Sequence, residues 1–175
     1  MLLFCFFYSK YYLDNMIKNR GMFLEKIINQ TINYYWENNY AFINKKNLDI
    51  SLKKIASKDK KIIVDQGIIS KKSTVDYIGM YQGRFVCFEA KSCNEDRFDL
   101  NNLKPHQLNY LKLIKLHGGL AFVILFFSNH NLFLKVDIEY LCELLEKKQK
   151  SIKMQEIKRN SKILNLEFPG ILNIF

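Results

Sequence analysis

The chain has 175 residues, enough for one domain with a full core and too few to expect two. With 49% hydrophobic and 25% charged residues it reads as globular, and a formal charge of +10 points to a polyanionic partner. The apolar opening MLLFCFFY is too short to span a bilayer and lacks the flanks of a signal peptide, so no membrane role is expected.

Residues 1–18 are set apart as an N-terminal extension without assigned function. Residues 19–38 read as the first helix, with Phe23, Ile27 and Tyr34, flanked by Leu24, Ile28 and Tyr35, as its apolar stripe. A short strand is expected at 40–43. A long basic segment follows, and its apolar stretch 62–69, broken by Asp65, Gln66 and Gly67, suggests an arm with structure of its own. Residues 73–92 read as a hairpin, and 94–104 as a loop. Pro105 fits the first position of a helix whose buried face is Leu108, Leu111 and Leu116, closed by Gly118-Gly119. Residues 120–127 form a continuous apolar run, the mark of a fully buried strand. A further strand at 132–136 and a helix at 138–148, with Leu141, Leu144 and Leu145 inward, complete the pattern. Residues 151–175 carry no clear periodicity and are read as a C-terminal tail. One α/β domain over 19–150, with an insertion at about 46–72, is the expected organisation.

Charge is not spread evenly. Residues 45–72 hold nine lysines against three aspartates, a net +6 in 28 residues. That clustering favours a nucleic-acid-binding feature, with a solvated charged face as the plain alternative. The cysteines Cys5, Cys87, Cys93 and Cys142 form no C-x-x-C pair, and none of the three histidines has zinc-ligand spacing. Cys87 and Cys142 read as buried thiols, and a reducing cytoplasm is the expected compartment.

The hairpin carries the chemistry. With Gln82-Gly83 as the turn, Tyr81 faces Arg84, Asp76 faces Glu89, and Thr74 faces Lys91. Strands alternate faces with a period of two, so these four residues share one face. Opposed carboxylates repel and favour a cation, and hard oxygen ligands suit Mg²⁺, with Mn²⁺ as a substitute. Lys91 is placed to meet negative charge on a phosphoryl transition state. The competing reading makes Asp76 and Glu89 surface acids with Lys91 as their salt-bridge partner. Tyr77 and Tyr81 are candidates for base stacking or for ordinary packing.

The segments NRGMFLEKIINQTINYY (19–35), STVDYIGMYQGRFVCFEAK (73–91) and HQLNYL (106–111) together resemble the RecU family of Holliday junction resolvases, which have a restriction-endonuclease-like fold. The resemblance implies a mixed central sheet flanked by helices, with a protruding basic stalk at about 46–72. It further implies a homodimeric, Mg²⁺-dependent endonuclease of recombination and repair. By that resemblance Thr74, Asp76, Glu89 and Gln107 hold the metal, and Lys91 stabilises the transition state. Arg20, Lys45, Lys46, Lys53, Lys54, Lys71 and Lys72 are expected at the DNA, and Glu25 at the border of the active site. Arg20 and Glu25 also read as a helix-start residue and a first-turn acid.

The expected function is nicking of two like-polarity strands of a four-way DNA junction, leaving 5′-phosphate ends. A recombinase or branch-migration helicase is a candidate partner. Two rivals stand beside it: a non-catalytic junction-binding accessory protein, and a duplex-cutting restriction-type nuclease.

Overall fold

The computed structural model describes residues 20–58, 61–71 and 74–175. Helix α1 (Arg20–Glu37) leads into strand β1 (Phe42–Lys45), and a second hairpin follows, β2 (Asp49–Lys58) and β3 (Lys61–Lys71). Next come β4 (Tyr77–Tyr81), β5 (Arg84–Cys93) and a short β6 (Arg97–Asp99). A 3-10 turn at Leu100–Asn102 precedes α2 (Pro105–Leu116), β7 (Leu120–Phe127) and β8 (Leu132–Asp137). The chain closes with α3 (Ile138–Glu146), β9 (Ser151–Lys153), α4 (Met154–Arg159), β10 (Lys162–Leu164), β11 (Leu166–Glu167) and β12 (Ile171–Leu172).

Six strands make one mixed sheet in the order β1-β4-β5-β7-β8-β10. Only β5 and β7 run parallel, because α2 carries the chain back between them. Helices α2, α3 and α4 cover one face, through Leu111, Leu141, Leu144 and Ile157. The other face is covered by α1 and by the last residues of the chain, through Leu24, Ile28, Leu172 and Ile174. On that face Tyr77, Phe88 and Phe122 stack across three strands, with centroids 4.7 and 5.0 Å apart. Tyr77 is therefore a core residue, and Tyr81 stacks on Phe175 at 4.1 Å.

Helix α1 buries a narrower stripe than its apolar residues suggest. Leu24, Ile27, Ile28 and Tyr35 are buried, whereas Phe23 and Tyr34 are exposed. The sheet meets the narrower stripe on one side, and Phe23 reaches it only at the edge, against Phe126. Leu116 is likewise exposed, at the last turn of α2, while Leu111 carries the burial. Pro105 does open α2, and Gly118 (φ +82°) follows its end in the left-handed conformation glycine tolerates best.

Residues 151–175 hold short elements that bury apolar side chains in both halves of the core and add polar anchors to α1. Tyr35 donates its hydroxyl to the Leu172 carbonyl (2.6 Å) and accepts from Ile174 N–H (3.0 Å). Buried Thr31 accepts from Leu172 N–H at 2.9 Å. The β2–β3 ribbon is the opposite case. Its described side chains are exposed on both faces, including Ile55, Ile62 and Ile68, and its strands pair with each other in a sheet of their own. Among the described residues no helix is long and apolar enough to cross a membrane.

Candidate active site

The site forms where β4 and β5 run out of main-chain pairing. Gln82 (φ 46°) and Gly83 (φ 74°) both adopt the left-handed region, the signature of a two-residue type I′ turn. That turn fixes the register, from Tyr81↔Arg84 to Tyr77↔Phe88. One step further, side chains take over from the ladder. Asp76 N–H donates to Glu89 Oε2 at 3.2 Å, and Ala90 N–H donates to Asp76 Oδ2 at 3.0 Å. Each carboxylate is thus tied to the other's strand, which brings the two acids together despite their charge.

Glu89 is wholly buried, an unusual place for a carboxylate. Its Oε1 accepts from Lys91 Nζ at 2.6 Å and from the Gln107 side-chain amide. Burial, and after it the Asp76 carboxylate, push the Glu89 pKa up to about 7 against the opposing pull of Lys91. A buried acid in that state is stabilised by a further cation. Glu89 and Lys91 share a face because they are two residues apart on β5, opposite Val123 and Leu125 of β7. Helix α2 roofs this face. Its Gln107 bridges the N-terminus of the helix, where Oε1 accepts from Lys104 N–H at 2.9 Å, to Glu89. Helix capping and contact with the acid pair are therefore one role for Gln107.

Lys45 and Lys46 end up here as well, because β1 lies beside β4. Lys45 ↔ Tyr77 is the last rung of that pair, and Lys46 N–H donates to the Asp76 carbonyl at 2.7 Å. The Lys46 ammonium donates to Thr74 Oγ1 at 3.0 Å, and the Lys45 ammonium to Glu25 of α1. Glu25, Lys45, Asp76 and Ser92 line a cleft of about 260 Å³ on the α1 side of the pair. Spacing in the sequence gave no sign of these contacts. They depend on strand order, which hydrophobic pattern does not reveal.

Of the residues singled out in the sequence, Asp76, Glu89, Lys91 and Gln107 are joined by hydrogen bonds, Thr74 is held by Lys46 two residues before Asp76, and Glu25 and Lys45 line the adjoining cleft. Lys53 and Lys54 lie on the outer ribbon, where Lys54 pairs with Asp65 at 2.8 Å. Lys72, and the side chains of Arg20 and Lys71, lie outside the described residues. Among the described residues no group of three or more His, Cys, Asp or Glu side chains is placed to hold a metal ion. The oxygen donors at hand are two carboxylates and a hydroxyl, a hard-oxygen set of the kind Mg²⁺ accepts, since it commonly takes only one or two protein carboxylates; the Gln107 amide turns its nitrogen to Glu89 and its oxygen to Lys104 N–H.

Comparison with known proteins points the same way. The family model for recombination protein U, RecU, matches residues 19–175. A protein of Mycoplasmopsis pulmonis, named Holliday junction resolvase RecU, is 44% identical over 157 residues, covering 89% of this chain and 91% of its own. Its namesake in Ureaplasma parvum is 38% identical over 157 residues, with 89% of each chain covered. The Bacillus cytotoxicus protein of that name is 33% identical over 153 residues, 84% of this chain and 76% of its own.

Proposed function

Because the chain belongs to the RecU family of recombination proteins, we propose that it is a Holliday junction resolvase: a Mg²⁺-dependent endonuclease that nicks four-way DNA junctions in recombination and repair. The observation that carries the reading is the buried Glu89 held against Asp76, with Lys91 and Gln107 on the same carboxylate. A junction-binding protein without catalysis has no use for so costly an arrangement.

Asp76, Glu89, Thr74 and Gln107 would hold the metal, which when bound supplies Lewis-acid polarisation of the scissile phosphate and a more acidic water. The protein's own groups do the rest. Lys91, partly exposed beside Glu89, offers its ammonium to the negative charge that grows on the phosphoryl oxygens. Asp76 and Glu89 hold each other in place through main-chain bonds, so the site is ordered before DNA arrives. Glu25 with Lys45 borders the cleft and limits the approach of the strand.

The fold is read as a restriction-endonuclease-like core of one domain, with the β2–β3 ribbon as a basic stalk inserted at about 46–72. Lys53, Lys54 and Lys71 of the ribbon, with Lys72 and Arg20, would meet phosphates. Their binding would weaken steeply with salt as counterions are released. A homodimer would match the two-fold symmetry of a junction and deliver two nicks. A recombinase or branch-migration helicase is the candidate partner, and the cytoplasm the place of action.

The test uses a labelled four-way junction and a linear duplex of the same sequences, each with Mg²⁺ and with chelator. Symmetric nicks in the junction only, dependent on Mg²⁺ and sealed by ligase, support the reading. Equal cutting of the duplex would make it a restriction-type nuclease, and binding without nicking an accessory protein.

A further inference from the structure

The Lys46–Thr74 hydrogen bond sits at the root of the outer ribbon. Lys46 lies three residues before Asp49, the first residue of β2, and Thr74 three residues after Lys71, the last of β3. Asp49 and Lys71 form the lowest rung of the ribbon, so the bond joins its two legs three residues below that rung on each side. Each leg is then fixed to the acid pair. Lys46 N–H holds the Asp76 carbonyl at 2.7 Å, and Thr74 is separated from Asp76 only by the buried Val75. The ribbon above lacks comparable support, since its described side chains are exposed from residues 49 to 57 and 61 to 69.

We infer that Lys46 is a positioning residue, a clasp that closes the root of the ribbon and fixes the Thr74 hydroxyl relative to Asp76, whose carbonyl the Lys46 main chain holds. The chemistry suits that role. An ammonium donates and never accepts, so it fixes one lone pair of the hydroxyl and leaves the other, with the proton, for the active site. A charge-assisted bond is also stronger than a neutral one. The consequence follows from leverage. Strands of ten and eleven residues reach roughly 33 Å from their root, so DNA held by the ribbon is placed at the acid pair only as well as the root is fixed. An open clasp leaves the ribbon able to bind DNA and spoils the alignment of the scissile bond, a loss in turnover and not in affinity. Lys46 thereby links junction engagement to catalysis.

This inference rests on the resolvase reading, and its test separates the two. Lys46→Met, Lys46→Arg, Thr74→Val and the Lys46→Met/Thr74→Val double variant are compared in three measurements. These are junction affinity in Ca²⁺, single-turnover nicking in Mg²⁺, and amide exchange of the 42–49 segment in metal-free protein. Lys46→Met is expected to bind the junction within about threefold of wild type and nick it roughly 10- to 100-fold more slowly. Its 42–49 amides should exchange faster, and Lys46→Arg should recover most of both losses. Added to Thr74→Val, Lys46→Met should slow nicking no further. Multiplying losses in the double variant would overturn the clasp, as would weakened binding with unchanged exchange, which would make Lys46 a plain phosphate contact. Exchange needs neither DNA nor metal, so the clasp is judged even if wild type proves unable to nick a junction.

Discussion

Replacing Glu89 with glutamine should stabilise the metal-free protein while abolishing its chemistry. Burial and the Asp76 charge raise the Glu89 pKa from 4.5 to about 7. The folded chain therefore binds more protons than the unfolded chain between those values. Stability falls as pH rises through that window, and the cost is complete above about 7. A shift of that size is worth about 3 kcal/mol, and the side chain is fully buried, so solvent does not screen it. Glutamine keeps the shape and still accepts from Lys91 and Gln107, but its amide nitrogen replaces the oxygen that accepts from Asp76 N–H, and that orphaned donor costs about 1–3 kcal/mol. The variant should then exceed wild type by up to about 2 kcal/mol at pH 8 in chelator, or up to roughly 8 °C in Tm for a chain of this size. Guanidinium unfolding in chelator at pH 4.5 and pH 8 reads the difference. The gain should vanish or reverse at the lower pH, where wild-type Glu89 is protonated. Mg²⁺ at pH 8 should narrow it, by binding only folded wild type. A glutamine variant less stable at pH 8, or a gap indifferent to pH, would refute the reasoning.

Tyr35→Phe removes both hydroxyl bonds and leaves the Leu172 carbonyl and the Ile174 N–H only the 3.0 Å bond between them, a loss of about 1–3 kcal/mol in all. Thermal unfolding should therefore fall by roughly 2–12 °C. Gly79→Ala would drive a methyl into the Phe42 carbonyl oxygen and the Ile43 backbone, forcing β1 off β4. A loss of about 3 kcal/mol or more is expected in denaturant unfolding, together with loss of nicking as Lys45 and Lys46 leave the site. Lys91→Met should keep junction affinity within a few-fold and slow single-turnover nicking by roughly 100- to 1000-fold, as removal of a transition-state donor does.

Much of the centre was legible because it depends on local rules. The Gln82-Gly83 turn sets the register as far as Tyr77↔Phe88, and a period of two along β5 puts Lys91 on the face of Glu89; past Tyr77 the approach of Asp76 rests on side-chain bonds to the main chain. Pro105 and Gly118 bracket α2 for equally local reasons. The rim of the site was hidden because it is made by strand order. Nothing in the spacing of Lys45 and Lys46 says that β1 will lie against β4 and carry them to Glu25 and Thr74. Phe23 and Leu116 misled because an apolar stripe shows which residues suit a core, not how wide a face the sheet will cover. The stretch 151–175 was opaque for a different reason. Its strands have two or three residues, too few for a period, and its polar anchors are the hydroxyls of Thr31 and Tyr35 more than 130 positions away.

The central claim is that the Asp76–Glu89 pair performs the cut. It is tested most directly by single-turnover nicking of a labelled four-way junction by wild type, Asp76→Asn and Glu89→Gln at matched junction occupancy. The account predicts that both variants bind and that both lose cleavage on the order of a thousandfold, the equivalent of several kcal/mol of transition-state stabilisation. Cutting at the wild-type rate by either variant would contradict it and place the chemistry elsewhere on the chain.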